Sequence, residues 1–154
     1  MNWSCILIYM VISFNYFTVL VFLCLSLLGG CGSGISDKNL TFISPEDAAI
    51  SMQEGSGNLL GPKLQTMLVD PRATWAFQKA HIPSSINIPY GRLRSQVWLL
   101  DDAGTIIVCG DTYNDSIAIA MSKTLISLGF NDVKTIRGGL RGWEKAGELV
   151  ETLE

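Results

Sequence analysis

Residues 66–89 read TMLVDPRATWAFQKAHIPSSINIP, and this stretch decides the fold. Residues 66–69 form a short apolar strand, residues 75–79 fit a short helix, and residues 86–88 form a second strand ahead of Pro89. A strand, a helix and a strand in quick succession are typical of a parallel α/β sheet.

The same alternation continues on both sides of this stretch. Ser44 and Pro45 begin a helix that ends near Gly55, and residues 116–128 carry apolar side chains at helical spacing up to Gly129. The other predicted elements are helices at 90–100 and 140–145 and strands at 105–109 and 133–136. The pattern predicts a single α/β domain with a central, mostly parallel sheet flanked by helices on both faces.

Cys109 lies where the strand at 105–109 ends. The loop after it consists of Gly110, Asp111, Thr112, Tyr113, Asn114 and Asp115, and Ser116 begins the next helix. A thiol with backbone N–H groups and a helix N-terminus beyond it is a frequent arrangement for a nucleophile. We therefore expect Cys109 to be exposed at the mouth of the loop, the alternative being a buried and inert core cysteine.

Cysteine, histidine and charge limit the kinds of site. Cys109 is the only cysteine after Cys31, and His81 is the only histidine of the chain. A disulfide framework is therefore excluded, and neither a metal centre nor another cofactor is expected. Charged residues begin at Asp37, and a net charge of −3 without a cluster of Lys and Arg gives no reason to expect nucleic-acid binding.

The N-terminal segment differs from the rest of the chain. Residues 5–28 are almost wholly apolar, and Leu28-Gly29-Gly30-Cys31 resembles the bacterial lipobox. The resemblance implies cleavage before Cys31 and lipidation of its sulfur, which would anchor the chain to a membrane on the periplasmic, extracytoplasmic side of the cell envelope. The predicted organisation is a signal peptide at 1–30, a flexible linker at 31–43 and a domain at 44–154.

An uncleaved transmembrane anchor is the alternative for this segment. The apolar run is long enough to cross about 30 Å of hydrocarbon. No Lys or Arg precedes it, whereas signal peptides carry a basic start. Both interpretations tether the domain to a membrane.

The motifs of the later chain resemble those of the rhodanese-like domain family. The strand end Asp70-Pro71-Arg72, the aromatic Trp75 and Phe77, and the run at 80–89 resemble the family's opening motif. Residues 129–133 and the sequence Gly138-Gly139-Leu140 followed by Trp143 resemble its closing motif. Cys109 falls at the position of the catalytic cysteine, and the similarity covers roughly residues 44–150.

A rhodanese-like fold implies a thiol-based sulfurtransferase. In active members the catalytic thiolate takes a sulfane sulfur from a small donor such as thiosulfate or a polysulfide. It holds the sulfur as a persulfide and passes it to a thiol acceptor. The resemblance implies that Cys109 is the nucleophile and that the N–H groups of residues 110–116 cradle the transferred sulfur. His81 is expected to hold its loop, and Asp70 and Arg72 are expected to pair and brace the strand end.

The loop departs from the family pattern in its charge. Sulfurtransferase members close it with Arg, whereas Asn114 and Asp115 occupy the closing positions here. Counting to Asp115 gives the loop length of the family's phosphatases and arsenate reductases, but a carboxylate there would repel their oxyanion substrates. Asp111 and Asp115 would also raise the pKa of Cys109. Asp115, or alternatively Ser116, could instead cap the following helix.

Two functions therefore stay open. One is a sulfurtransferase or persulfide carrier, and the other is a non-catalytic binding module that keeps the fold without the anion site. Arg92 and Arg94 are candidates for the missing positive charge. Trp75, Phe77 and Trp143 are expected to be core or packing residues.

Overall fold

The computed structural model describes residues 34–54 and 64–152. The strands are β1 (Thr41–Ile43), β2 (Gln65–Asp70), β3 (Ile86–Asn87), β4 (Ala103–Val108) and β5 (Val133–Ile136). The helices are α1 (Pro45–Glu54), α2 (Thr74–Lys79), α3 (Leu93–Gln96), α4 (Ser116–Ser127) and α5 (Gly139–Lys145). Short 3₁₀ turns lie at Asp37–Asn39, Tyr90–Arg92 and Val97–Leu100.

The strands form one parallel sheet in the order β1-β5-β4-β2-β3. β2 and β4 lie side by side, with Val69 opposite Val108. Their carboxyl ends therefore meet, and the N–H of Cys109 donates to the carbonyl oxygen of Val69 at 2.9 Å. In open parallel sheets this is the edge at which functional side chains from different strands come together.

Helices cover the sheet on both faces. Successive residues of a strand point to opposite faces, so Val108 packs in one core cluster with Met121 of α4. Ile107 and Cys109 belong to the other cluster, which includes Trp143 of α5. The predicted architecture, a parallel sheet with helices on both faces, is confirmed.

The sheet includes a strand that the sequence pattern did not reveal. β1 lies in the segment at 31–43 that we assigned to the linker, and it pairs with β5 at the edge of the sheet. Asp37, just before it, forms an ion pair with Lys123 of α4 at 2.6 Å. Three residues are too few to show an alternation of polar and apolar side chains, so the pairing could be recognised only in three dimensions.

Two local expectations need correction. The segment at 90–100 is not one helix but α3 between two 3₁₀ turns, and Gly91 is a residue of low helix propensity at its start. Trp75 is not a core residue, because 65% of it is exposed, whereas Phe77 and Trp143 are buried as predicted.

The N-terminal segment that the sequence predicts to be a tether lies outside the described residues. The predicted signal peptide at 1–30 and Cys31 are not among the described residues. Within 34–54 and 64–152, no helix is both long and apolar enough to span a bilayer.

Candidate active site around Cys109

Cys109 lies directly after β4 and is only 2% exposed, which corrects the expectation of an exposed thiol. Its Sγ donates to the carbonyl oxygen of Gly110 at 3.4 Å. Cys109 belongs to a core cluster that includes Leu68 of β2 as well as Leu140 and Trp143 of α5. The thiol therefore lies beneath the loop and not at its mouth.

The first turn of α5 is fastened to the loop through the backbone. The N–H of Leu140 donates to the carbonyl oxygen of Gly110 at 2.9 Å, and that of Arg141 to the carbonyl oxygen of Asp111 at 3.1 Å. Gly139 permits this approach, because a Cβ there would lie 2.7 Å from the Gly110 oxygen. Its φ of 58° also lies in the left-handed region that favours glycine.

Burial raises the pKa of the Cys109 thiol well above its usual range, and the negative charge of Asp70 raises it further. Arg72 acts in the opposite direction, while Asp115 and then Asp111 add smaller upward contributions. Because its pKa is raised, the thiol at rest is protonated at neutral pH. The reactive form, in contrast, is the thiolate.

The Asp115 carboxylate occupies backbone N–H groups at the end of the loop. Oδ1 accepts from the N–H of Ile117 at 2.8 Å and of Ala118 at 3.2 Å. Oδ2 accepts from the N–H of Asp111 at 2.8 Å. Asp115 and not Ser116 is therefore the side chain that caps α4. One of the N–H groups expected to cradle the sulfur, that of Asp111, binds this carboxylate instead.

Gly110 makes room for that carboxylate. A Cβ on Gly110 would lie 2.6 Å from Cγ of Asp115 and 2.7 Å from its Oδ2. Elsewhere in the loop, Asn114 adopts a positive φ of 59°, and Tyr113 and Ser116 are exposed while Thr112 is half-buried. The loop thus folds around the carboxylate of its own closing residue.

Arg72 is the cation beside the thiol. Its guanidinium binds the Asp70 carboxylate, with Nη2 2.6 Å from Oδ2, and this is the ion pair expected from the sequence. Nη1 also lies 3.4 Å from Oδ1 of Asp111, whose Oδ2 lies 3.6 Å from Nε of Arg141. Arg72 therefore connects the end of β2 to the loop.

Arg92 and Arg94, proposed from the sequence as sources of positive charge, do not act on this site. Both are exposed, and neither pairs with a carboxylate in the part of the chain that the structure describes. The sequence motif did contain the relevant cation, but as Arg72, for which we expected only a bracing role.

His81 makes local contacts. Its Nδ1 lies 2.9 Å from the carbonyl oxygen of Phe77, and the two rings stack at 4.0 Å. Its backbone exchanges two hydrogen bonds with Glu151 near the end of the chain. These contacts fit a residue that holds the segment between α2 and β3.

A cleft of about 510 Å³ lies at the loop and is lined by Arg72, Asp111 and Asp115. The exposed side chains of Trp75 and Ile117 also line it. Arg72 and Asp115 bring both signs of charge to its wall, and a cleft of this size fits a small molecule or the tip of a peptide.

Comparison with known proteins agrees with this architecture. Thiosulfate sulfurtransferase GlpE from Pseudomonas savastanoi pv. phaseolicola is 28% identical over 102 residues, which cover 66% of this chain and 84% of GlpE. The adenylyltransferase and sulfurtransferase UBA4 from Debaryomyces hansenii is 26% identical over 117 residues, which cover 70% of this chain but only 25% of UBA4.

Among solved structures, the BH2092 protein from Bacillus halodurans has a TM-score of 0.59 and 26% identity over 75% of this chain and 79% of its own. The family model for the rhodanese-like domain matches residues 52–146, which is more than half of the chain and includes Cys109 and its loop. The chain therefore belongs to the rhodanese-like domain family.

Proposed function

We propose that this chain is a membrane-tethered sulfurtransferase or persulfide carrier that uses Cys109 as its nucleophile. The observation that carries the proposal is the position of Cys109 at the carboxyl end of β4, at the start of a loop fixed between α4 and α5. Among the described residues, Cys109 is the cysteine with a free thiol, not bound in a disulfide. The names of GlpE and UBA4 as sulfurtransferases support the same reaction class.

The reaction requires the thiolate of Cys109. The thiolate attacks the outer sulfur of a donor such as thiosulfate or a polysulfide, and a new S–S bond forms as the bond within the donor breaks. The donor leaves as sulfite or as a shortened polysulfide. An acceptor thiolate then attacks the outer sulfur of the Cys109 persulfide, which yields the acceptor persulfide and regenerates the Cys109 thiolate.

Within this scheme Arg72 and the loop have separate roles. The guanidinium of Arg72 lowers the thiol pKa against the effects of burial and Asp70. The Gly110 carbonyl oxygen accepts the S–H of the resting thiol. Because the resting state is protonated, sulfur transfer is expected to be slow at neutral pH and to accelerate as pH rises.

Sulfur transfer to a small thiol acceptor tests this proposal. The full-length chain, supplied with polysulfide, is expected to form acceptor persulfide, and Cys109→Ser is expected to abolish that activity. Cys31→Ser is the matched control and should leave it intact, because Cys31 precedes the domain that contains Cys109. Equal rates in wild type and Cys109→Ser would contradict the proposal.

A non-catalytic binding module is the second candidate, and Asp115 is the observation that favours it. Its carboxylate fills N–H groups that an anionic sulfur donor would otherwise use. In this case the wild type binds no thiosulfate, whereas Asp115→Arg, which replaces a carboxylate by a guanidinium, is expected to gain thiosulfate binding measurable by calorimetry. Thiosulfate binding by the wild type would count against this candidate.

The tether is proposed from the sequence of the N-terminal segment. Cleavage before Cys31 and lipidation of its sulfur would make the chain a lipoprotein of the cell envelope, with the domain on the periplasmic side. An uncleaved transmembrane anchor is the alternative. Mass spectrometry of the mature N-terminus is expected to show a lipidated Cys31, and an intact Met1 would show the uncleaved form.

A further inference from the structure

A second cleft, of about 700 Å³, lies beside the Cys109 loop. Its walls are the start of α1, residues Thr112 and Tyr113 of the loop, and α5 with the residues just before it. Arg141 is the one residue that this cleft shares with the cleft lined by Arg72. The two clefts are therefore neighbours with largely separate walls.

The second cleft concentrates positive charge. Arg137, Arg141 and Lys145 line it together with one carboxylate, that of Glu46. Arg141 also lies 3.6 Å from the Asp111 carboxylate, so three cations against two carboxylates leave a net charge of +1. The chain as a whole carries a net charge of −3. The positive charge of this cleft is thus opposite to that of the protein that contains it.

Structural contacts account for only part of this concentration, because Arg141 pairs with Asp111 but the placement of the cations is otherwise unfavourable. Arg141 and Lys145 are four residues apart on α5, a spacing at which like charges repel each other. Arg141 also lies in the first turn of α5, where the helix dipole disfavours a cation. Arg137 and Lys145 form no ion pair with a carboxylate within residues 34–54 and 64–152.

The side chains of the cleft are held by the surrounding structure. Nη1 of Arg137 donates to the hydroxyl oxygen of Tyr113 at 3.2 Å, and its guanidinium lies 5.6 Å from the centre of the Phe42 ring. The Tyr113 hydroxyl keeps its own proton for another acceptor. Gly142 lets α5 approach the backbone of Arg137, because a Cβ there would lie 2.9 Å from the Arg137 oxygen.

We propose that this cleft binds a small oxyanion, either a carboxylate or a phosphate. Arg137 and Arg141 offer planar guanidinium groups that match both kinds of group, and Lys145 adds a third charge. A concave site of this volume suits a small molecule better than the flat surface of a bilayer. The proposal stands independently of sulfur transfer by Cys109.

Calorimetric titration of the full-length chain in a neutral detergent at low salt tests the proposal, with citrate and inorganic phosphate as separate probes. Wild type is expected to bind at least one of them. Citrate alone would identify a carboxylate ligand and phosphate alone a phosphate ligand. Lys145→Gln, which loses no hydrogen bond or ion pair of the described residues, is expected to weaken binding about threefold, and Arg137→Gln/Lys145→Gln about tenfold.

Arg92→Gln/Arg94→Gln is the matched control. It also removes two positive charges, but from exposed positions outside the cleft. It is expected to leave the affinity unchanged. Equal weakening by both double variants would mean a response to net charge only and would overturn the proposal. Two other results would also overturn the proposal. One is that wild type binds neither probe, and the other is that it binds only detergent micelles to which anionic lipid has been added.

Discussion

The Asp115 carboxylate accepts hydrogen bonds from three backbone N–H groups, those of Asp111, Ile117 and Ala118. It stabilises the start of α4 as an N-cap and at the same time brings a negative charge to the Cys109 loop. An N-cap contributes about 1 kcal/mol to stability. The same residue thus supports the fold of the loop and makes the thiol less acidic.

Asp115→Asn is expected to lower the pKa of Cys109, because it removes a charge that disfavours the thiolate while it keeps one acceptor oxygen for the cap. The expected decrease is modest, because the larger effects of burial and of Asp70 remain. Alkylation rates of Cys109 across pH measure it. Asp101→Asn is the control, because Asp101 precedes the opposite end of β4. The same pKa in Asp115→Asn and wild type would contradict the assignment.

Arg72→Gln is expected to have the opposite effect on the thiol. Removing the guanidinium leaves the upward effects of burial and Asp70 unopposed, so the pKa of Cys109 should rise further and alkylation at a given pH should slow. Arg72 is buried beside Asp70, so circular dichroism must first show that the variant folds. In a folded variant, faster alkylation would contradict the proposed role of Arg72.

At the level of elements, we predict that the backbone contact between α5 and the loop keeps Cys109 buried. Gly139→Ala would place a Cβ 2.7 Å from the Gly110 oxygen, so α5 must move away. We expect a loss of about 2–4 kcal/mol in the free energy of unfolding and faster alkylation of Cys109. Urea denaturation and labelling measure the two effects.

Gly147→Ala is the matched control for that substitution. Gly147 also has a positive φ, of 84°, but a Cβ there would meet nothing within 4 Å. The variant's free energy of unfolding is expected to fall by about 1–2 kcal/mol, which is the conformational cost of a side chain at positive φ. The alkylation rate of Cys109 is expected to stay unchanged. Equal acceleration of labelling in both variants would show that strain, and not the contact of α5 with the loop, controls access to the thiol.

The sequence predicted the elements that have a clear period or a clear end signal. The strand at 133–136 and the helix that begins at Ser116 are found as predicted. β1 was missed because three residues show no period. The burial of Cys109 was missed because it involves α5, which begins about thirty residues later in the chain. No local sequence pattern reveals the contact between α5 and the loop.

For the molecule as a whole, the raised pKa of Cys109 links stability to pH. In the unfolded chain the thiol titrates at about 8.5, and in the folded chain it titrates at higher pH. The unfolded state therefore loses its proton first, so the stabilising effect of the neutral buried thiol is present below pH 8.5 or so and is lost as pH rises above it.

Urea denaturation of wild type and Cys109→Ser between neutral and alkaline pH measures this linkage. Above the unfolded thiol pKa, wild type is expected to lose up to about 1.4 kcal/mol per pH unit more than Cys109→Ser, whose hydroxyl does not titrate in this range. Identical pH dependence in the two proteins would mean that the folded thiol is not protected from ionisation.

We propose above all that Cys109 carries a transferable sulfur. The most direct test of this proposal is mass spectrometry of the full-length protein after incubation with polysulfide, with the peptide that contains Cys109 analysed at neutral and at alkaline pH. A persulfide on Cys109 is expected to accumulate faster at the higher pH, because the thiolate is the attacking group. A folded protein in which Cys109 gains no sulfur at either pH would contradict the proposal.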